Sequence, residues 1–173
     1  MPTRAKRMCL WPRCPVPVDQ GYCERHGRGR IILVSGPPCA GKSTYVATHA
    51  ESGDVVLDWD AMFAAATGRP LHARTAEDDR MARAVEGRFE DRLFEAIARN
   101  PAGRILVVRS APKRWTRERY RRLWAADVVM LDTPADECLQ RLARSGRPAE
   151  ATSMTAEAIG AWWTAYEPAE VSP

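Results

Sequence analysis

Gly36-Pro37-Pro38-Cys39-Ala40-Gly41-Lys42-Ser43-Thr44 decides the fold. It has the form G-x-x-x-x-G-K-[ST], and it stands between a strand-like and a helix-like stretch. The run Ile31-Ile32-Leu33-Val34 before it has the length of a buried strand, and residues 42–50 after it read as a helix. Gly36 and Gly41 permit backbone angles and close approaches that a Cβ would block. Successive backbone N–H groups then turn inward and, with the helix N-terminus, form an anion cradle. Lys42 reaches the outer phosphates, and the Ser43 hydroxyl suits Mg²⁺. The expected nucleoside triphosphate site is therefore Gly36, Cys39, Ala40, Gly41, Lys42, Ser43 and Thr44. Cys39 reads as a small residue tolerated at a variable loop position; a reactive thiolate near the helix N-terminus is the alternative.

Outward from this loop the chain alternates strand-like and helix-like stretches. Strands are expected at 31–35, 54–58, 104–109 and 127–131, and helices at 42–50, 60–67, 75–99, 116–125, 134–144 and 155–166. The long helix carries Met81, Val85, Phe89, Leu93 and Ile97 at fourfold spacing. Thr75 with Asp78 resembles a helix-start pair, and Asn100-Pro101 a stop. Thr133 reads as a cap before Pro134 at the first helical position. No fifth strand follows residue 150, so the expectation is a short parallel sheet of about four strands in a three-layer α/β sandwich.

Length gives one domain with room for an appendage, and an apolar share of 45% is ordinary for a globular chain. No apolar run has membrane-spanning length, and no h-region follows the basic residues 1–7. The expected setting is the cytoplasm, with no membrane partner. Charge is placed unevenly. Residues 1–30 hold Arg4, Lys6, Arg7, Arg13, Arg25, Arg28 and Arg30 against Asp19 and Glu24, whereas the rest is close to neutral. That asymmetry suits a polyanionic partner, or else a solubilising tail.

The phosphate loop resembles that of small P-loop kinases, including the kinase domain of polynucleotide kinases and nucleoside and nucleotide kinases, over roughly residues 30–148. In those kinases a carboxylate just after the second strand accepts the proton of the attacking hydroxyl. Here the stretch is Val56-Leu57-Asp58-Trp59-Asp60. The resemblance implies Asp60 as base and Asp58 in the Mg²⁺ shell or on substrate hydroxyls, with the reverse assignment open. It also implies a movable lid of arginines near 141–153. Arg141 and Arg144 share a helix face, and Arg144 and Arg147 are the leading lid residues, with Arg141 on the nucleotide. One departure stands out. The third strand ends in Arg109, where many P-loop ATPases carry an acid that holds Mg²⁺ through water. Motor-type and AAA-type ATPases rely on that acid, so the arginine points away from them. Arg109 is expected to contact a phosphate or to pair with a carboxylate. The following helix carries Arg114, Arg117 and Arg121 on one face, a nucleic-acid track or a solvated face.

Ahead of the body, Cys9-x4-Cys14-x8-Cys23-x2-His26 supplies ligands of zinc type. Pro12, Pro15, Pro17 and Gly21 shape the connecting loop, and Gly27-Arg28-Gly29 is the joint to the body. Four protein ligands leave no open position, so the zinc would be structural. The spacing resembles the small zinc segments on some phage DNA-processing proteins such as HNH-type nucleases, although the chain has no His-Asn-His pattern. The division expected is a basic zinc segment, 1–29, and a P-loop kinase domain, 30–173. With ATP and Mg²⁺ as cofactors, the acceptor is expected to be a hydroxyl of a nucleic acid. A nucleoside or nucleotide kinase, and a nucleic-acid-binding ATPase without acceptor, are the alternatives.

Overall fold

A computed structural model describes residues 6–11, 13–18, 21–27, 30–99 and 103–168. Pro12, Arg28-Gly29 of the expected joint and the Asn100-Pro101 stop lie outside the described residues. The elements are β1 (Arg7–Met8), β2 (Pro17–Val18), α1 (Glu24–Gly27), β3 (Ile31–Ser35), α2 (Lys42–His49), β4 (Val55–Asp58), α3 (Trp59–Thr67), a 3₁₀ turn (Ala76–Asp78), α4 (Asp79–Arg99), β5 (Ile105–Arg109), α5 (Arg114–Trp124), β6 (Asp127–Met130), α6 (Ala135–Ala143) and α7 (Ala149–Ala165).

The body is a four-stranded parallel sheet in the order β4-β5-β3-β6. Alternation along the strands explains its two covered faces. Ile31 and Leu33 of β3, with Ile105 and Val107 of β5, point into one core with Phe89, Leu93 and Ile97 of α4 and Leu123 and Trp124 of α5. Val34, Leu106 and Val108 point the other way, onto Val46 of α2. Strands buried on both faces read as unbroken apolar runs, which is why these were recognisable. The third layer continues where Cys138 and Leu142 of α6 pack with Ile159 of α7 and Ala40 of the phosphate loop.

Three expectations shift. On α4 the buried stripe includes Ala82 and leaves Met81 40% exposed. The capping pair holds: Asp78 accepts from the Thr75 backbone N–H at 2.8 Å and its hydroxyl at 3.0 Å. Thr133 is not a cap. Pro134 takes the cap position of α6, and the Thr133 hydroxyl donates instead to the Ala40 carbonyl at 3.1 Å, tying α6 to the phosphate loop. The last helix starts at Ala149, directly after Pro148, rather than at 155. That places its first turns beside the phosphate loop.

The cysteine segment does not hang free. Cys9, Cys14, Tyr22 and Cys23 belong to the same buried cluster as Phe89, Leu93 and Trp124. Gly27 lies so close to Ala125 that a Cβ there would collide with it. Trp11 stacks on the His26 ring at 4.8 Å, and the Arg30 guanidinium covers Trp11 at 4.4 Å. All of this is at the N-terminal end of the strands, where the Arg30 carbonyl accepts from the Ile105 N–H.

Candidate active site

In open parallel sheets ligands bind beyond the carboxyl ends of the strands, where neighbouring connections part to opposite sides. Here β3 lies between β5 and β6, and the chain leaves it for β4. A cleft of about 960 Å³ opens at that point. This is near the upper end for ligand sites, room for a nucleotide and a second substrate.

The phosphate loop forms its floor. A Cβ at Gly36 would collide with the Leu131 carbonyl oxygen, so the chain leaving β6 can close over the loop only with glycine there. Gly41 at φ 96 turns the chain into α2. Lys42 Nζ donates to the carbonyls of Gly36 at 3.0 Å and Pro37 at 2.6 Å. Burial lowers its pKa, against the opposing charges of Asp60 and Asp58. The Arg141 guanidinium donates to the Cys39 carbonyl at 3.2 Å and to Glu137 at 2.5 Å, so α6 steadies the loop from outside.

The two aspartates meet the loop from β4 and α3. Asp58 caps α3 by accepting from the Asp60 N–H at 2.8 Å, and its other oxygen accepts from Ser43 Oγ at 3.4 Å. Ser43 and Asp58 therefore face one position beside the helix N-terminus, a hard oxygen pair of the kind Mg²⁺ takes. Burial, and then the Asp60 charge, raise the Asp58 pKa. Asp60 behaves oppositely. Burial raises it, but its hydrogen bond and Coulomb attraction to His72, with Lys42 and Arg147 further off, hold it below the ordinary carboxylate value. His72 Nδ1 is 3.0 Å from Asp60 Oδ2.

His72 was not anticipated. It lies in the unpatterned loop after Gly68, at φ 63, and only the fold brings it to Asp60. In the His72→Ala variant the Asp60 carboxyl loses its largest stabilising partner, so its titration, followed by carboxyl-carbon NMR, is expected to move to higher pH. An unchanged midpoint would mean that Lys42 and Arg147 alone hold it down.

The other expected residues divide. Cys39, Ala40, Thr44, Arg109, Arg141 and Arg147 line the same cleft as Lys42, Ser43, Asp58 and Asp60. Arg147 donates to Thr155 Oγ1 of α7 at 3.1 Å. Arg144 is exposed at the end of α6 and is not part of the cleft wall. Arg109 takes the carboxylate alternative: it pairs with Glu86 of α4 and lies over the Phe89 ring at 4.7 Å. Arg117 belongs to no outer face. It is 2% exposed and donates to the Ala111 and Pro112 carbonyls, knitting α5 to the loop after β5.

At the far end of the sheet, the Cys9, Cys14, Cys23 and His26 ligand atoms lie within 4.8 Å of one another. Cys14 and Cys23 sulfurs are 3.9 Å apart, and His26 Nδ1 is 3.3 Å from Cys23 Sγ and 3.6 Å from Cys9 Sγ. A tetrahedron with zinc–sulfur bonds of about 2.3 Å has edges of about 3.8 Å. The Cys23 N–H donates to Cys9 Sγ at 3.2 Å, an outer hydrogen bond of the sort that orients a ligand. The donor set thus fits one zinc ion.

A parallel sheet, a glycine-bounded phosphate loop and a helix opening on Lys42 define a kinase-like P-loop NTPase fold. Residues 31–169 match the AAA_33 family of AAA domains, and the chain belongs to that family. Among solved structures it is similar to TT1252 from Thermus thermophilus, with 24% identity and TM-score 0.47 over 80% of this chain and 81% of that one. It is also similar to a sugar kinase from Janibacter sp. HTCC2649, with 23% identity and TM-score 0.48 over 83% and 80%. No curated protein matches it significantly.

Proposed function

We propose that this chain is an ATP-dependent phosphotransferase that moves the γ-phosphoryl group to a hydroxyl of a nucleic acid, at a 5′ end or on a hydroxylated base. The observation that carries the transfer is the meeting of Asp60 with Lys42 and Ser43 in one cleft. Phosphoryl transfer needs positioning and charge neutralisation more than covalent chemistry. The loop N–H groups and Lys42 hold the phosphates. Ser43 and Asp58 would hold Mg²⁺, which neutralises phosphate charge when bound. Asp60, kept ionised by His72, takes the proton of the attacking hydroxyl. In this reading Arg147, hydrogen-bonded to α7, meets the transferring group, and Arg141 and the exposed Arg144 flank it as the remainder of a lid. Arg109 with Glu86 forms the wall towards the acceptor. β5 ends on this arginine, so the family label does not bring with it the Mg²⁺-holding acid of AAA-type ATPases.

The nucleic-acid acceptor is supported by the basic residues 1–30 and the zinc-type segment within them. In this reading the segment, residues 1–29, is stapled by structural zinc, and residues 30–173 form the kinase domain. One observation favours a second reading, a small-molecule acceptor. The segment sits at the opposite end of the sheet, about 16 Å from the cleft by the length of β3, so an acceptor that fits within the cleft does not touch it, and only a polymer would use both. Incubation with γ-labelled ATP and oligonucleotides or nucleosides separates the readings. Label in the oligonucleotide is the expected result. Label only in nucleosides overturns the polymer acceptor, and label only in free phosphate overturns transfer altogether. Among the described residues no helix is long and apolar enough to cross a membrane.

A further inference from the structure

We infer that the outer face of α5 is a docking track for single-stranded nucleic acid, running from the rim of the cleft to a groove beside the cysteine segment. The inference rests on the nucleic-acid reading of the acceptor. It starts from Trp115, which is 62% exposed, the most exposed large apolar side chain among the described residues. Lys113, Arg114 and Trp115 are consecutive exposed residues. They come three to five residues after Ser110, the last residue of the β5 connection that lines the cleft, and open α5 on the way out of it. An indole beside cationic side chains is the combination that binds single strands: every base has a π-face to stack, and every nucleotide brings a phosphate.

From there α5 runs for about 16 Å, at 1.5 Å per residue, towards the other end of the sheet. Trp115 and Arg122 are seven residues apart and share a face. Arg122, with Arg121 and Lys6, lines a groove of about 830 Å³ between α5 and the cysteine segment, floored by Tyr22 and Val128. Arg7, Arg13 and Arg25 of the same segment are exposed, though none of them lines the groove. The helix therefore bridges the two features that the acceptor reading left at opposite ends of the molecule. Carboxylates temper the charge: Glu24 and Asp127 also line the groove, Glu118 pairs with Arg121 at 2.6 Å, and Glu90 pairs with Arg119. Net attraction along the helix is thus modest, and stacking on Trp115 must supply much of the affinity. That feature selects nucleic acid over an acidic peptide, which has charge but no bases.

The test is fluorescence anisotropy of labelled oligothymidylate with the full chain, without nucleotide, across a salt series. Trp115→Ala is expected to weaken binding about tenfold, the loss of one stacked base. Arg122→Glu is expected to weaken it and to flatten the salt dependence by about one ion. Both variants should keep the wild-type melting midpoint and affinity for ATP. Unchanged binding in both variants, absence of wild-type binding at low salt, or equal displacement by oligoglutamate each overturns the track. An oligonucleotide that is phosphorylated but binds both variants equally overturns the track and leaves the acceptor reading standing. One that binds through Trp115 but never takes label upholds the track and overturns the acceptor reading.

Discussion

Replacing Asp60 with asparagine is expected to lower phosphoryl transfer by a hundred- to ten-thousandfold, the range of a lost general base, while ATP affinity changes by no more than about twofold. Asparagine keeps the size of the side chain and still accepts from His72, so the cleft should stay intact. It cannot take a proton. Asp58→Asn should behave differently, because Asp58 faces Ser43 rather than His72. It should raise the Mg²⁺ concentration required and leave transfer measurable at saturating Mg²⁺. The pH profile gives an independent check. Asp60 is held below the ordinary carboxylate value, and Asp58 is raised above it. As pH falls, Asp58 therefore protonates first, and Asp60 remains a base in more acidic solution. An acid limb of kcat at or above the ordinary carboxylate range, together with transfer that survives Asp60→Asn, would exchange the two roles.

What the sequence conveyed about this site follows from the range of the interactions involved. The phosphate loop is local: glycines, lysine and serine at fixed spacing belong to one turn and one helix start, so Gly36 to Thr44 could be read directly. The strands were legible because burial on both faces leaves continuous apolar runs. Asp58 and Asp60 could be placed because they follow such a strand. His72 could not, since it sits in a loop with no periodicity and meets Asp60 only after α3 has turned the chain back. Glu86 was hidden in the same way, on the polar side of α4, until β5 brought Arg109 beside it. The start of α7 was missed for a different reason. Pro148 reads equally as a stop and as the residue ahead of a first turn. Thr152 donates from its hydroxyl to the Arg147 carbonyl inside the helix start. This early start is what puts Met154, Thr155 and Ala158 in the cleft wall.

The second large effect expected is on stability, from the end of the molecule remote from ATP. Removing zinc with a strong chelator, or replacing Cys23 by serine, is expected to lower the melting midpoint of the whole chain by about 10 °C or more. The cysteines are not on an independent appendage: Cys23 is 6% exposed and packs in the cluster that holds Phe89, Leu93 and Trp124. Structural zinc contributes roughly 10–16 kcal/mol of apparent binding free energy in small zinc peptides, on the order of the entire stability of a domain. The four-stranded sheet retains its own core, so only part of that is lost from the body. A net loss of about 4 kcal/mol already moves the midpoint by about 10 °C in a chain of this size. Without the ion, the buried Cys9, Cys14 and Cys23 lose the centre that holds them together, and α1 loses the tie that holds Gly27 against Ala125. Zinc should be found at one equivalent, and His26→Ala should reproduce much of the loss. ATP binding should fall with unfolding and not before it, because Lys42 and Ser43 lie at the other end of β3. A chelated chain that melts at the wild-type temperature would show that the cysteine cluster is held by packing alone. A chain that loses ATP affinity while still folded would show that the two ends of the sheet are coupled more tightly than their separation implies.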